Sequence, residues 1–268
     1  MTNKQLMIVC GGLLAVIIAV VMIVPASRRH ALGILFREPM QNEKYMSEWV
    51  TQLHDPDDDR RNEAAANLGN IDERGRPALP ELLRVVREEK DSKVRAAAAF
   101  AVYKISAEVR RHRAHATEIY DTVVAALEDP DALTRMNAAL ALGTLEGDAR
   151  AAIPSLEKAI RKSENKGKVL TFPLTIREQM IADIGAMGEE GKDALELLKE
   201  FLTDPEETTR KRCAVVLGQL GPAAKEKQVI DMLKEAIDDP AESETVQESA
   251  KEALRLIDPE EAKKLADN

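Results

Sequence analysis

The residues best suited to metal chemistry in this 268-residue chain are His112 and His115, followed by Glu118. Groups three positions apart share one face of a helix, and imidazole and carboxylate side chains are common zinc ligands. The arginines within residues 110–113 oppose that role, because their positive charge raises the cost of holding a cation beside them. We interpret the segment as a solvated basic extension of a helix, with contact to an acidic partner or to lipid headgroups as the alternative.

The remaining sequence offers no arrangement typical of an active site. It contains no phosphate-binding glycine loop and no Ser/His/Asp set in a supporting context. The net charge is −9, and residues 38–268 contain 34 basic and 47 acidic side chains, which disfavours nucleic acid as a partner. We therefore predict no catalytic, cofactor-binding or metal-binding residues and no cofactor, so function must lie in the surface that the chain presents.

The element that would build such a surface is a repeat marked by arginine. Five arginines recur at intervals of 33 to 42 residues, and the clearest copies follow an Asp-Pro dipeptide by five residues. A period of this length is typical of a stacked array of helical units, whose usual product is an extended binding surface. The five positions are Arg61, Arg95, Arg135, Arg177 and Arg210.

The residues around each arginine predict a pair of helices. With the arginine as position zero, positions +3, +4 and +7 are apolar in all five copies, which is one stripe of an amphipathic helix. Position +8 is glycine in four copies, and we expect it to end the helix in a left-handed conformation. Another apolar segment, such as residues 79–83, precedes each turn. Each unit is predicted to be helix, turn and helix, with no strand.

A charged ladder is predicted to join the turns. A cation in the first turn of a helix opposes the helix dipole by about 0.3–1 kcal/mol, so its repetition indicates a partner. An acid stands four residues before four of the five arginines, and Pro173 takes that place in the remaining unit. We expect these acids to pair with the arginines and to keep successive units in register: Asp57, Asp91, Asp131 and Glu206.

These units resemble HEAT repeats, in the short bacterial form also found in phycobilin lyases. The resemblance rests on the Asp-Pro…Arg turn, the Ala-Ala-x-x-Leu-Gly run and the Pro-x-Leu of the first helix, and it covers residues 45–258. It implies an all-α fold, a right-handed α-solenoid of about six HEAT-like helix pairs. From its own apolar sequence, the N-terminus is predicted to add one transmembrane helix before the solenoid. Residues 259–268 are treated as a C-terminal tail.

The resemblance also raises enzymatic alternatives. Some HEAT-repeat enzymes hold two irons with His-Glu motifs, but no histidine here is followed by glutamate. The lyase group has the fold that the resemblance implies, although no residue set identifies a chromophore site. A scaffold or adaptor for protein–protein interaction is therefore the predicted function, and a lyase-like enzyme or enzyme-associated subunit is the alternative.

The N-terminal segment predicts a membrane anchor. Residues 6–24 form an uncharged run of 19 residues. At about 1.5 Å per residue, this run just crosses a bilayer core of about 30 Å. We predict an uncleaved transmembrane helix within residues 1–25 and a juxtamembrane linker at residues 26–44. A long signal peptide is the alternative, because Val24-Pro25-Ala26 has the small residues of a cleavage site.

The sequence signals for the two possible orientations of this predicted single-pass membrane protein are nearly balanced. Arg28, Arg29 and Arg37 follow the apolar run and Lys4 precedes it, so the positive-inside rule slightly favours a cytoplasmic repeat domain. A short basic N-terminus is also typical of an export signal, which favours the opposite side. Residues 31–36 are apolar, and we expect them to cap the first repeat or to lie on the membrane surface.

The predicted partner surface is the face of the second helices that points away from the core. Position +2 lies opposite the buried stripe, and positions +1 and +5 flank it. A protein partner of unknown identity is expected to bind Glu63, Ala97, Phe100, Met136, Asn137, Gln179 and Arg212. The alternative is that Phe100 and Leu140 pack between repeats. Residues 163–173 form an insertion that either contributes contacts or is simply tolerated.

Overall fold

The computed structural model describes residues 39–109, 116–144, 149–167 and 174–266. The predicted anchor (residues 1–25), most of the linker, both candidate histidines and residues 168–173 lie outside the described residues. Glu118 is described, and its Oε1 lies 3.8 Å from Nη1 of Arg87. None of the helices in the described ranges has the length and apolarity needed to span a bilayer.

The described chain is almost entirely helical. Its 13 helices are α1 Met46–Gln52, α2 Asp58–Gly69, α3 Leu79–Glu88, α4 Ser92–Val109, α5 Ala116–Ala126, α6 Ala132–Leu142, α7 Ala149–Arg161, α8 Ile176–Ala186, α9 Leu195–Phe201, α10 Glu207–Leu220, α11 Lys227–Asp238, α12 Glu244–Ile257 and α13 Pro259–Ala266. Shorter 3₁₀ segments cover Asp72–Ala78, Ser163–Lys166, Gly188–Ala194 and Gly221–Ala224.

The helices form a repeating two-layer stack. α1 to α12 make six pairs, and within each pair the first helix packs against the second. The second helices α2, α4, α6, α8, α10 and α12 also pack against one another in chain order, which makes them one continuous layer. The all-helical repeat architecture that the sequence predicts is therefore confirmed. One side of the second-helix layer packs against the first helices, and the other side faces away from them. We call the side that faces away from the first helices the inner face.

The repeated apolar stripe forms the core. Every residue at +3, +4 and +7 after the five arginines exposes 4% of its surface or less. Small side chains at +3 and +4, such as Ala64 and Ala65, allow close helix packing, and Leu68 fills the space at +7. Burial of each such leucine stabilises the fold by about 1.5–3 kcal/mol.

Acidic and hydroxyl side chains determine where the second helices begin. Asp57 accepts hydrogen bonds from the backbone N–H groups of Asp59 and Arg60, and Asp131 accepts one from Thr134. These bonds satisfy backbone donors that a helix start leaves free. The sequence-based expectation that the acids pair with the following arginines is therefore wrong for Asp57 and Asp131, because their oxygens serve as helix caps.

The glycines at +8 also differ from expectation. Among the glycines in the described part of the chain only Gly188 and Gly221 have positive φ, so Gly69, Gly143, Gly185 and Gly218 do not end their helices in a left-handed conformation. They allow helices to approach instead. A Cβ at Gly69 would lie 2.8 Å from Cα of Ala101 on the next second helix. The repeated glycine therefore serves contact between units.

A small hairpin precedes α1, although no strand was predicted. Strand β1 (Met40–Gln41) pairs antiparallel with β2 (Lys44–Tyr45). Asn42 and Glu43 both adopt positive φ, as a tight two-residue hairpin turn requires. The hairpin covers the first unit, because Nε1 of the buried Trp49 donates to the carbonyl of Gln41 at 2.9 Å.

The other end of the stack is covered by a helix. The segment that the sequence analysis treats as a tail contains α13, whose Ala262 and Leu265 pack against the core. Nζ of Lys234 on α11 also lies 2.5 Å from Oε2 of Glu261. α13 therefore covers part of the apolar surface that a last repeat would otherwise expose.

Candidate functional site

The repeated arginines connect each turn to the next one. Nε and Nη2 of Arg95 donate to the two carboxylate oxygens of Asp129 at 2.8 and 3.0 Å. Arg61 binds Glu89 in the same way, at 2.9 and 3.1 Å. The Nη1 group of Arg95 also donates to the carbonyls of Glu89 and Lys90 in its own turn. Each guanidinium therefore holds its own turn and the following turn together.

The last arginine of the series makes the same contact at closer range. Nε and Nη2 of Arg210 each lie 2.7 Å from a carboxylate oxygen of Glu242. This guanidinium lowers the pKa of Glu242, and the carboxylate in turn raises the pKa of Arg210. Charge-assisted pairs with two parallel hydrogen bonds are geometrically specific, which suits a contact that fixes the spacing between units.

The two central arginines have different partners. Nε of Arg135 donates to the amide oxygen of Asn165 at 2.7 Å. Nε of Arg177 donates to the carbonyl of Ile160 at 2.8 Å, and its Nη1 lies 3.4 Å from Oδ2 of Asp204. Asn165 belongs to the insertion at residues 163–173, so the described part of that insertion supplies a contact between units.

The predicted partner residues separate into accessible and buried groups. Glu63 is exposed, and Ala97, Gln179 and Arg212 are half-buried. Met136 exposes 0% of its surface, so its predicted place on the partner surface is wrong. The reason is that α6 lies between α4 and α8 and its +1 side chain is covered by neighbouring helices.

Asn137 is also buried, and part of its amide is already used. It exposes 2% of its surface, and its Nδ2 donates to the carbonyl of Ala96 at 2.9 Å. Its Oδ1 accepts no hydrogen bond within the described part of the chain. Asn137 therefore fastens α6 to α4, and its predicted place on the partner surface is wrong because its side chain is covered.

An apolar row at +5 runs along the inner face through five units. At 3.6 residues per turn, +5 lies on the side of each second helix away from the buried +3, +4 and +7 stripe. Its members are all exposed or half-buried: Ala66, Phe100, Leu140, Ala182 and Val215. We call this row the inner stripe. The sequence analysis named only Phe100 and Leu140 from it, although counting +5 in every unit would have found all five.

Phe100 is the most prominent member of the inner stripe. It exposes 37% of its surface, and its ring centre lies 5.8 Å from that of Tyr103 in a tilted arrangement. Lys104, which is four residues after Phe100 and so lies on the same side of the helix, is exposed. An accessible aromatic ring beside a second ring and a cation is a suitable contact for an apolar side chain of a protein partner.

One buried carboxyl lies beneath the inner face. Asp183 on α8 exposes 4% of its surface, and its Oδ1 accepts a hydrogen bond from Nε2 of Gln179 at 2.9 Å. Its Oδ2 has no hydrogen-bond partner in the described residues. Burial raises the pKa of Asp183 well above its ordinary value. The carboxyl lies against Gly143 of the preceding unit, at the junction between α6 and α8.

Metal and thiol chemistry have little support in the described ranges. These residues contain no group of three or more His, Cys, Asp or Glu side chains that could hold a metal ion. Cys213 is buried, and burial raises the pKa of its thiol, which makes it a poor nucleophile.

Comparison with known proteins identifies HEAT repeats. Residues 173–255 match the family model for HEAT repeats. No curated protein matches the chain. The resemblance to HEAT repeats is therefore confirmed, and it is strongest in the second half of the chain.

Solved structures share the fold at low sequence identity. One chain in the structure of the CpcE–CpcF complex of phycocyanin lyase, from a Nostoc species, is 23% identical to this chain. The match covers 82% of this chain and 80% of the Nostoc chain, with a TM-score of 0.54. A designed armadillo-repeat protein in complex with a (KR)4 peptide is 15% identical to this chain. The match covers 80% of this chain and 100% of the designed protein, with a TM-score of 0.61. An engineered protein from a structural genomics consortium is 19% identical, with 80% and 96% covered and a TM-score of 0.59. These similarities show an armadillo- or HEAT-like helical solenoid.

Proposed function

We propose that this chain is a membrane-anchored HEAT-repeat scaffold whose inner stripe binds an extended segment of a protein partner. The observation that carries the proposal is the continuity of the inner stripe, because apolar residues remain accessible at +5 in five consecutive units. Scattered apolar residues are normal on a surface, whereas a contiguous apolar row flanked by polar residues is typical of an interaction site.

The flanking residues describe the partner in more detail. The +2 row runs from the acidic Glu63 at one end to Arg212 at the other, and Lys211 lies beside Arg212. We infer a partner segment with alternating apolar side chains, a basic residue near Glu63 and an acidic residue near Arg212.

The fold comparison supports binding as the class of function. The solved structure of a designed armadillo-repeat protein of similar fold is a complex with a (KR)4 peptide. Solenoids of this type present an extended surface, and each unit adds contacts to it.

The membrane part of the proposal rests on the sequence of residues 6–24. A single uncleaved helix there would tether the repeats to the bilayer, with the basic residues after it favouring a cytoplasmic repeat domain. Extraction of membranes at alkaline pH tests the anchor, since an integral protein stays in the pellet. Protease treatment of sealed vesicles tests the side, and digestion of the repeats from the non-cytoplasmic face would contradict the orientation.

Variants of the inner stripe test the binding function. The full-length chain is crosslinked and purified from membranes with its partner, which mass spectrometry identifies. Phe100→Asp should reduce recovery of that partner, because a carboxylate replaces the accessible ring. The matched control is Thr117→Asp, on the exposed side of α5 in the first-helix layer. Equal recovery with both variants, at unchanged helicity, would reject the inner stripe.

The enzymatic alternative has less support. A lyase-like enzyme requires a concave pocket in which ionisable groups converge on a substrate. Asp183 is the carboxyl near the inner face with a raised pKa, but it exposes only 4% of its surface and binds Gln179. A substrate would have to separate α6 from α8 to reach it, so we favour the scaffold.

A further inference from the structure

A groove on the first-helix layer separates α9 from α11. Two cavities of about 370 and 410 Å³ share Thr203 and Met232 and so form one continuous groove. The α9 wall carries Glu196 and Glu200. The groove lies on the opposite layer from the inner stripe, and the function proposed above does not use it.

The α11 wall combines an apolar floor with an acidic rim. Met232, Glu235 and Ala236 are spaced by three and four residues, so they lie on one face of α11, and Asp239 follows directly as the C-cap of the helix. Met232 and Ala236 are half-buried, whereas Glu235 and Asp239 are exposed. This face offers apolar contact below and two carboxylates above.

The cations of the groove are already paired, and two of its carboxylates are not. Each cation contacts an acid of the groove or its margin: Arg161 with Glu200, Lys199 with Glu196 and Glu226, and Arg210 with Glu242. In the described part of the chain no cation pairs with Glu235 or Asp239. Among the described residues, the carboxylate of Asp239 accepts a hydrogen bond only from the backbone N–H of Ala241, at 2.8 Å. The groove therefore has an excess of negative charge.

We propose that this groove docks a lysine- or arginine-containing segment of a protein partner. Long basic side chains can lay their aliphatic stems on Met232 and Ala236 and direct their charged ends to Glu235 and Asp239. Each cavity is near the lower end of the range of about 300–1,000 Å³ for ligand sites, so it fits individual side chains of a segment. Charge complementarity thus selects a basic partner here, in contrast to the mixed pattern along the inner stripe.

A defined peptide tests this assignment on the full-length chain in an uncharged detergent. The probe is a short fluorescent peptide that alternates arginine and leucine, and binding is followed by anisotropy. The double variant Glu235→Gln, Asp239→Asn should weaken binding about three- to tenfold, because two partly exposed ion pairs are lost. The matched control Glu244→Gln, Glu248→Gln removes the same charge from exposed positions of α12 and should bind as the parent chain does.

Two further measurements distinguish peptide binding in the groove from general charge attraction and from binding at the inner stripe. With methyl-labelled methionine, the Met232 signal should shift on peptide addition while that of the buried Met180 should not. Phe100→Asp should bind the probe normally, so failure of the inner stripe and failure of this groove remain distinguishable. Absence of binding, equal weakening by both double variants, loss of binding in Phe100→Asp, or no shift at Met232 would overturn the proposal.

Discussion

The guanidinium of Arg95 holds both carboxylate oxygens of Asp129, at 2.8 and 3.0 Å, across the boundary between two units. The two side chains expose only 12% and 11% of their surfaces. A paired guanidinium in this setting determines how far apart two turns lie, so it connects the repeated sequence signal directly to the stacking of the units.

Loss of the paired geometry at Arg95 should reduce stability. Arg95→Lys keeps the charge but loses the two parallel hydrogen bonds, and we expect a decrease of about 1–3 kcal/mol in the free energy of unfolding. Arg255→Lys is the control, because its pair with Glu252 is largely exposed and should contribute little to stability. Urea unfolding followed by circular dichroism measures both. An equal effect of the two substitutions would refute the assigned role.

A methyl group at Gly69 should destabilise the stack. Alanine favours a helix over glycine by about 1 kcal/mol, so intrinsic propensity alone predicts stabilisation. The new Cβ would lie 2.8 Å from Cα of Ala101, however, and we expect a net loss of about 1–3 kcal/mol. Gly167→Ala is the control, since its nearest atom is 3.7 Å away. A rise in the urea midpoint of Gly69→Ala would show that the units do not approach so closely.

The buried Asp183 should give stability a distinctive pH dependence. Burial raises the pKa of this carboxyl in the folded state, so its favourable contribution is present below the unfolded-state pKa and is lost as pH rises through the folded-state pKa. Asp183→Asn cannot ionise, so it should gain stability relative to the parent chain as pH increases. Urea midpoints between about pH 4 and pH 8 provide the comparison.

Glu242 is a control for that experiment, because its contribution to stability should change with pH in the opposite direction. The Arg210 guanidinium lowers its pKa in the folded state, so its contribution is present above the unfolded-state pKa and is lost as pH falls through the folded-state pKa. Glu242→Gln should therefore lose stability relative to the parent chain mainly at neutral pH. Parallel pH profiles for the Asp183 and Glu242 variants would contradict both assignments.

Removal of Asn165 should weaken the central junction. Asn165→Ala takes away the acceptor for Nε of Arg135, whose side chain exposes only 5% of its surface. A buried donor without its partner costs about 1–3 kcal/mol. Asn70→Ala, at an exposed position after α2, should be nearly neutral. Thermal unfolding followed by circular dichroism compares them, and equal melting temperatures would show that the insertion does not support Arg135.

Local periodicity allowed the helix pairs and their core to be predicted, because positions +3, +4 and +7 have the same apolar character in all five units marked by an arginine. The carboxylate partners were missed for a physical reason. The turns before Arg61, Arg95, Arg135 and Arg210 each contain two or more acids. Sequence alone does not show that Asp131 caps its helix while Asp129 crosses to the neighbouring turn. The role of Gly69 depends on Ala101 in the next unit, which local conformational preference does not reveal.

The candidate site was predictable only in part. Phe100 is accessible as expected, but Met136 and Asn137 are covered because α6 lies between two neighbouring second helices. The strands at Met40–Gln41 and Lys44–Tyr45 are too short to leave an alternating pattern, so the hairpin left no signal in the sequence.

Site-specific photo-crosslinking tests the central claim, that the inner stripe binds a protein segment, most directly. A photoreactive residue is placed singly at Ala66, Ala182 or Val215 of the full-length chain in its membrane, and at Thr117 as the control. We predict that the three inner positions give an adduct with the same protein and that Thr117 gives none. Adducts of equal yield at Thr117, or none at the inner positions, would contradict the account.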